Sequence, residues 1–234
     1  LQGYREGKDN DRVFRDVLGQ SPEAFDTTFD TYVQDRWGER VRAVALSWEE
    51  GGPGGGGSVD LDELRRRVLQ SPGSFLARLA LGKALIAAER VEDAEKEFRA
   101  ALLLFPEYGG MDSPYLYLAR IHKQRGETER AARALQQLGG LSETQLPAHL
   151  EEAELWLGLG KRREAAQALE RAVEIAPFEV EAHRRLAELY SSLGEHRGAV
   201  RERGAVLALD PPDRADAHYR LALALRDAGE RDEA

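Results

Sequence analysis

The sequence predicts an all-α chain: a solenoid of stacked helical hairpins preceded by a short helical segment. Three observations predict it. Small residues recur at Gly82, Ala119, Ala153, Ala187 and Ala222, at spacings of 37, 34, 34 and 35 residues. A second column, Ala94, Ala131, Ala165, Ala199 and Ala234, repeats those four spacings, and turn glycines fall between the columns at Gly126, Gly160, Gly194 and Gly229, with Glu89 in the first unit. Prolines close units at Pro72, Pro106, Pro177 and Pro211. Self-similarity at a period of this length marks a stacked-repeat architecture, in which each unit buries its apolar face against its neighbours.

Asp11–Leu18 reads as a short helix stopped by Gly19. Ser21-Pro22-Glu23 then starts a longer one, with a capping hydroxyl, a proline in the first turn and an acid near the positive end of the dipole. Phe25, Phe29, Tyr32 and Val33 fall at i, i+4, i+7 and i+8, one apolar face. Glu49–Ser58 is glycine-rich and reads as a linker. Its glycines lack a preceding strand and a following Gly-Lys-Ser/Thr, so they are no phosphate cradle. Residues 1–48, 49–58 and 59–234 are thus expected as helical segment, linker and array. Ser58–Gln70 carries Leu61, Leu64 and Val68 at helical spacing and fits a half-repeat that caps the stack.

The full units span about residues 75–108, 112–145, 146–179 and 180–214, with a partial unit at 215–234. In the first, Phe75–Ala88 places Leu81 and Leu85 on one face, and Val91–Leu104 places Ala94, Phe98 and Ala101 together. The small columns fit helices that approach to about 8–10 Å, where a branched side chain would not pass. Proline ends the second helix by withholding an N–H and restricting the residue before it. Gly109-Gly110-Met111 and one residue near Pro212 break the strict period, both in inter-unit turns, where insertions cost little.

These residues resemble the tetratricopeptide repeat family. Its order stands complete as Leu81, Gly82, Leu85, Ala94, Phe98, Ala101 and Pro106. The second unit has Leu118, Ala119, His122, Ala131, Leu135 and Leu138, with Glu143 where proline belongs. The third has Ala153, Trp156, Ala165, Leu169, Ala172 and Pro177, with Glu152 in place of leucine. The fourth has Leu186, Ala187, Tyr190, Ala199, Val206 and Pro211, with Arg203 in the aromatic slot. A fifth begins at Leu221, Ala222 and Leu225. The resemblance covers about residues 60–234 and implies a right-handed α–α superhelix.

The run Leu18–Val41 (LGQSPEAFDTTFDTYVQDRWGERV) is similar to the tail of peptidase-MA-like domains, a gluzincin-type metallopeptidase group often followed by such repeats in bacterial proteins. Catalysis there needs a helical His-Glu-x-x-His, which grips zinc and polarises water. The histidines here are His122, His149, His183, His196 and His218, and no two lie four apart, so nothing catalytic carries over. The resemblance implies that any such chemistry lies upstream of Leu1. Opening without Met and stopping inside a repeat, the sequence reads as an excerpt from a longer protein.

Composition narrows the function. The net charge of −9 opposes nucleic-acid binding, which needs a positive surface. No run reaches the 18 apolar residues of a membrane span. The chain has no Cys, which removes disulfides, thiolate zinc sites and cysteine nucleophiles but leaves the compartment open. His149, His183 and His218 share one slot in consecutive units. Equivalent positions on stacked hairpins stand roughly 10 Å or more apart, too far to share a metal. Acid pairs such as Glu151/Glu152 and Glu49/Glu50 read as solvated faces, and Arg65-Arg66-Arg67 is offset by Asp60, Asp62 and Glu63. No catalytic residue, metal or cofactor is expected.

The informative surface is the groove lined by the first helices. By resemblance to the family, its inward residues are Leu76, Leu79, Lys83 and Ile86, then Leu116, Arg120 and Lys123, then Leu150, Glu154 and Leu157, and finally Arg184, Glu188 and Ser191. Leu79, Leu116 and Leu150 stand where repeats that clamp a C-terminal carboxylate carry polar residues, so that kind of clamp is not expected. The groove is expected to be apolar along three units and mixed in charge at the fourth. An apolar groove is normally covered. A partner peptide or helix fills it, or the chain's own Phe25/Phe29/Tyr32 face does. The expected function is a non-catalytic interaction scaffold for a protein or peptide. The alternative is a docking or substrate-presenting part of a zinc metallopeptidase-like protein, with the upstream domain as partner.

Overall fold

The computed structural model describes residues 5–44, 60–142 and 144–229. The expected linker at Glu49–Ser58, together with Glu143 and Ala234, lies outside the described residues. Among the described residues there are twelve named helices and no strand. α1 (Asn10–Leu18) and α2 (Pro22–Val44) form the leading segment. α3 (Leu61–Gln70) precedes four hairpins: α4 (Phe75–Ala87) with α5 (Val91–Leu104), α6 (Pro114–Gln124) with α7 (Thr128–Leu141), α8 (Leu146–Gly158) with α9 (Arg162–Ile175), and α10 (Val180–Leu193) with α11 (His196–Ala208). α12 (Arg214–Ala228) follows. From α4 to α12 every helix packs on the one before it, so the array is an α–α solenoid.

The helices of the array start in different ways, and α8 and α10 have no side-chain cap. Side-chain caps open α4 and α6, where Ser74 accepts from the Ala77 N–H and Ser113 from the Tyr115 N–H. The second helices α5, α7, α9 and α11 have no side-chain cap and are launched by a shared backbone turn. In each, an N–H closes on the carbonyl five residues back: Arg90 on Leu85, Glu127 on His122, Lys161 on Trp156 and Glu195 on Tyr190, at 2.8–2.9 Å. That closure needs a left-handed residue just before the donor. Gly126, Gly160 and Gly194 supply it with φ of 73, 72 and 74°, whereas Glu89 is forced to φ 57°. Arg65, Arg66 and Arg67 on α3 pair with Asp62 and Glu63 on the same helix.

The core falls into three buried clusters, and the second unit joins them. Leu118 and Ile121 complete the first cluster, which holds Leu64, Phe75, Leu85 and Phe98. Ala119, Leu135 and Leu138 form the middle one with Ala148. Ala132 belongs to the third, with Trp156, Leu169, Leu186 and Tyr190. Gly82 is required where it stands, because a Cβ there would come within 2.7 Å of the Phe98 ring. The second and third units carry alanine in that column and Leu135 or Leu169 opposite, a smaller side chain against a larger one.

The Gly109-Gly110-Met111 insertion is a tied turn. The Tyr108 hydroxyl donates to Asp112 (2.7 Å), Ser113 Oγ donates to the Tyr108 carbonyl (2.8 Å), and Gln145 Nε2 donates to the Gly109 carbonyl (3.3 Å). A side chain at Gly110 would strike the Tyr108 ring at 2.6 Å. The extra residue near Pro212 lies ahead of α12, which Asp213 caps.

α1 and α2 follow the signals read from the sequence: Asp9 caps α1, Gly19 stops it at φ 68°, and Ser21 Oγ accepts from the Ala24 N–H at 3.3 Å. The Phe25/Phe29/Tyr32 face is left partly open. Phe25 packs on Phe14 and Phe29, while Phe29 and Tyr32 are each 50% exposed. α2 touches α4, and it reaches the turn after α5 through its far end. Trp37, Arg40 and Val41 border a cleft with Phe105 and Glu107 in the turn between α5 and α6, and Arg40 pairs with Glu107. Helical periodicity groups the aromatics on one side of α2 without saying what that side faces.

Candidate functional site

The residues expected in the groove fall into three environments. Leu76 and Ile86 are half-buried on the first core cluster, Leu116 on the second and Leu150 on the third. Lys83, Arg120, Lys123, Glu154, Leu157, Arg184 and Glu188 are exposed, Leu157 at 40%. Leu79 is a correction. At 3% exposed it is core, packed with Phe75 and Leu85, and it has no surface to offer a partner. The repeat register places it on α4 but does not separate the groove from the seam between hairpins.

Half of the exposed groove charges are paired between units. Lys83 reaches Asp112 (3.2 Å), Lys123 reaches Glu151 (2.6 Å) and Glu154 reaches Arg185 (3.0 Å), which ties each first helix to the unit that follows. A second ladder runs along the turns: Arg125 with Glu95, Lys161 with Glu129 (3.0 Å) and Arg163 with Glu195 (3.0 Å). Burial works against the charge on Asp112, but Tyr108 and Lys83 outweigh it and hold the carboxyl below its ordinary range. Burial and that same carboxylate push the Tyr108 hydroxyl up to about 12. Arg120 lies over the Tyr117 ring, 5.8 Å from its centroid.

Seven polar residues are buried among the described residues: Ser113, His122, His149, Glu152, His183, Glu202 and Arg203. Glu152 is 0% exposed and satisfied: Arg171 Nη2 donates to both carboxylate oxygens at 2.9 Å, and Trp156 Nε1 donates at 3.1 Å. His149 Nδ1 accepts from Arg171 Nε at 3.4 Å, and its ring lies against Gly139, where a Cβ would come within 2.2 Å. His149 Nε2 is buried with no partner among the described residues, a cost on the order of 1–3 kcal/mol. His183 sits between Glu202 (2.7 Å) and the Pro177 carbonyl (3.0 Å), while His218 is exposed. Among the described residues no group of His, Asp and Glu is placed to hold a metal ion.

The tetratricopeptide repeat family matches this chain over residues 60–111, 115–140 and 150–202, more than half its length. The chain belongs to that family. No curated protein matches it. Among solved structures, it resembles YrrB, described as a TPR protein with an unusual peptide-binding site, at 16% identity over 74% of this chain and 87% of that one, with a TM-score of 0.50. MamA aligns at 21% identity over 68% and 85% (TM-score 0.45), and a thermophilic TPR protein of Thermus thermophilus at 25% over 71% and 89% (TM-score 0.35). At these identities the likeness to YrrB establishes the tetratricopeptide fold. The comparisons lend no support to the metallopeptidase alternative.

Sequence reading missed the partners of the groove charges. Asp112, Glu151 and Arg185 each lie roughly one repeat beyond the residue they pair with. Opposite charges at repeat spacing on a tetratricopeptide array are the signal that finds them.

Proposed function

We propose that the chain is a non-catalytic protein–protein interaction scaffold that holds a peptide or helix along the surface of its first helices. The observation that carries this reading is how the first-helix side chains divide. One set builds the core, while Arg120, Leu157, Arg184 and Glu188 remain exposed in successive units, beside half-buried Leu116 and Leu150. This gives an extended surface with apolar patches and charged margins, the chemistry that groove-bound peptides use. The resemblance to YrrB, a protein described as having a peptide-binding site, fits the reading. Lys83 and Lys123 are engaged with Asp112 and Glu151, so an acidic ligand meets them only by competing with those carboxylates. Arg120 stacks on Tyr117 and offers its guanidinium more directly.

The test uses a displayed library of ten-residue peptides selected on the purified chain. Selected peptides should lose binding about tenfold or more to the double variant Leu157→Glu/Arg120→Glu, whose circular-dichroism melt should match wild type because both side chains are exposed. Undiminished binding to the double variant, or a library that enriches nothing, overturns the proposal.

A further inference from the structure

α2 spends little of its surface on the array. Among its described residues Gly38 alone is buried, and at 3.6 residues per turn Val33 lies about 140° round the helix from it. Centred on Val33 is a row at four-residue spacing: Phe25, Phe29, Val33, Trp37 and Val41. Side chains four apart stand one above the other on a helix, so the row forms a continuous ridge. Phe29, Tyr32, Trp37 and Val41 are exposed, as are Val17 and Leu18 on α1. Apolar surface of this extent left in water marks a contact site. The charges of α2 are divided along its length. Its first half carries Glu23, Asp26, Asp30 and Asp35 with no Lys or Arg, and beyond them stand Arg36 and Arg40 with Glu39. Asp26 and Asp30 are exposed and have no ion-pair partner among the described residues. Arg36 lies over the Tyr32 and Trp37 rings, at 6.0 and 5.5 Å from their centroids.

We infer that α2 is a self-association surface, which pairs antiparallel with α2 of a second copy of this chain about a two-fold axis at Val33. The inference is independent of the groove reading. A second copy is the occupant because both features of α2 reverse into themselves. Turned end for end about Val33, the ridge repeats its own spacing: Phe25 comes level with Val41 of the second copy, and Phe29 with Trp37. The same operation brings Asp26 level with Arg40 of the second copy and Asp30 level with Arg36, and it sets no like charges level with each other. An unrelated partner gives no reason for such symmetry, whereas a two-fold interface requires it. The cleft that Trp37 and Val41 share with Phe105 opens beside the place where Phe25 and Phe29 of the second copy arrive. Apolar burial supplies the attraction, and the divided charge fixes the antiparallel direction. α2 has 23 residues, so at about 35 Å long and roughly 10 Å wide it covers roughly 350 Å² on each copy, against about 800 Å² in a stable complex. The dimer is therefore weak and reversible. It places two arrays in one particle, so a ligand with two binding segments gains avidity.

The experiment is sedimentation velocity of the full chain from about 5 to 500 µM, where the wild type should pass reversibly from monomer to dimer with a dissociation constant on the order of 100 µM. Phe29→Glu, at a half-exposed position, should stay monomeric throughout and keep the wild-type circular-dichroism melt. Asp30→Arg and Arg36→Asp should each weaken the dimer about fivefold, and an equimolar mixture of the two should recover wild-type affinity. This charge exchange keeps the test open if Phe29→Glu disturbs the fold. Because the chain has no Cys, introduced cysteines report direction cleanly. Asp26→Cys mixed with Arg40→Cys should give the mixed disulfide in excess over either symmetric one. A wild type that stays monomeric over the whole range overturns the inference and leaves the α2 face to a different protein. It is equally overturned by a dimer that survives Phe29→Glu, by charge variants whose mixture is no tighter than its parts, or by symmetric disulfides in excess.

Discussion

Glu152 stands in a column that the repeat otherwise fills with Leu81, Leu118, Leu186 and Leu221, and it is wholly buried. The sequence shows the substitution but not its compensation. Arg171, nineteen residues on and on the partner helix of the same hairpin, neutralises it through two hydrogen bonds, and Trp156 adds a third. Replacing Arg171 by Met strands a carboxylate in the core and should cost about 2–4 kcal/mol, toward the low side for a broken buried pair because Arg171 is partly open to water. The double variant Glu152→Leu/Arg171→Met should return to within about 1 kcal/mol of wild type, since it restores the apolar packing of the other units. A urea-denaturation double-mutant cycle reads both values, and purely additive losses would deny the pairing. Arg203 departs from its column in the same way but lacks such a close partner, its nearest carboxylate oxygen on Glu188 standing 3.7 Å away.

Helices and turns were largely legible. The sequence places Phe75–Ala88 and Val91–Leu104 within one residue of α4 and α5, because the turn glycines and closing prolines act locally on the backbone. Glu89 was legible as the odd member of the glycine column, and its φ of 57° shows that the backbone demand persists when the glycine does not. The orientation of α2 was not legible. Its aromatics share a face, but it meets the array at α4 and, through Trp37, Arg40 and Val41, at the turn after α5, by an exposed ion pair and an apolar cleft. Exposed pairs contribute about 0–1 kcal/mol, so this dock is weak. Amide hydrogen exchange should therefore be faster in α1 and in the first half of α2 than in α8 and α9. Trp37→Ala should extend the fast exchange through all of α2 and leave the α6–α10 amides unchanged. Slowing of exchange in α1 and α2 to the level of the array would show that the segment is an integral part of it.

At the scale of the molecule, the array is held by a core that passes through the second unit and by carboxylates that bridge one unit to the next. Burial opposes the charge on Glu95, yet Arg125 and Arg99 prevail and hold it below its ordinary range. Asp112 is depressed in the same direction. A carboxyl depressed in the folded state stabilises fully above its unfolded pKa, and that stabilisation is lost as pH falls through the folded value. The melting temperature should therefore be flat near neutrality and fall steadily below the ordinary carboxylate range. Asp112→Asn should flatten part of that fall, and a melting temperature that rises on acidification would contradict the bridging role.

The most direct measurement of how this solenoid works is hydrogen exchange of the full chain with and without the tightest peptide from the selected library. Protection confined to α4, α6, α8 and α10 is the result expected of a scaffold that binds along its first helices. Protection on α5, α7, α9 and α11, or on the α1–α2 pair alone, would contradict it.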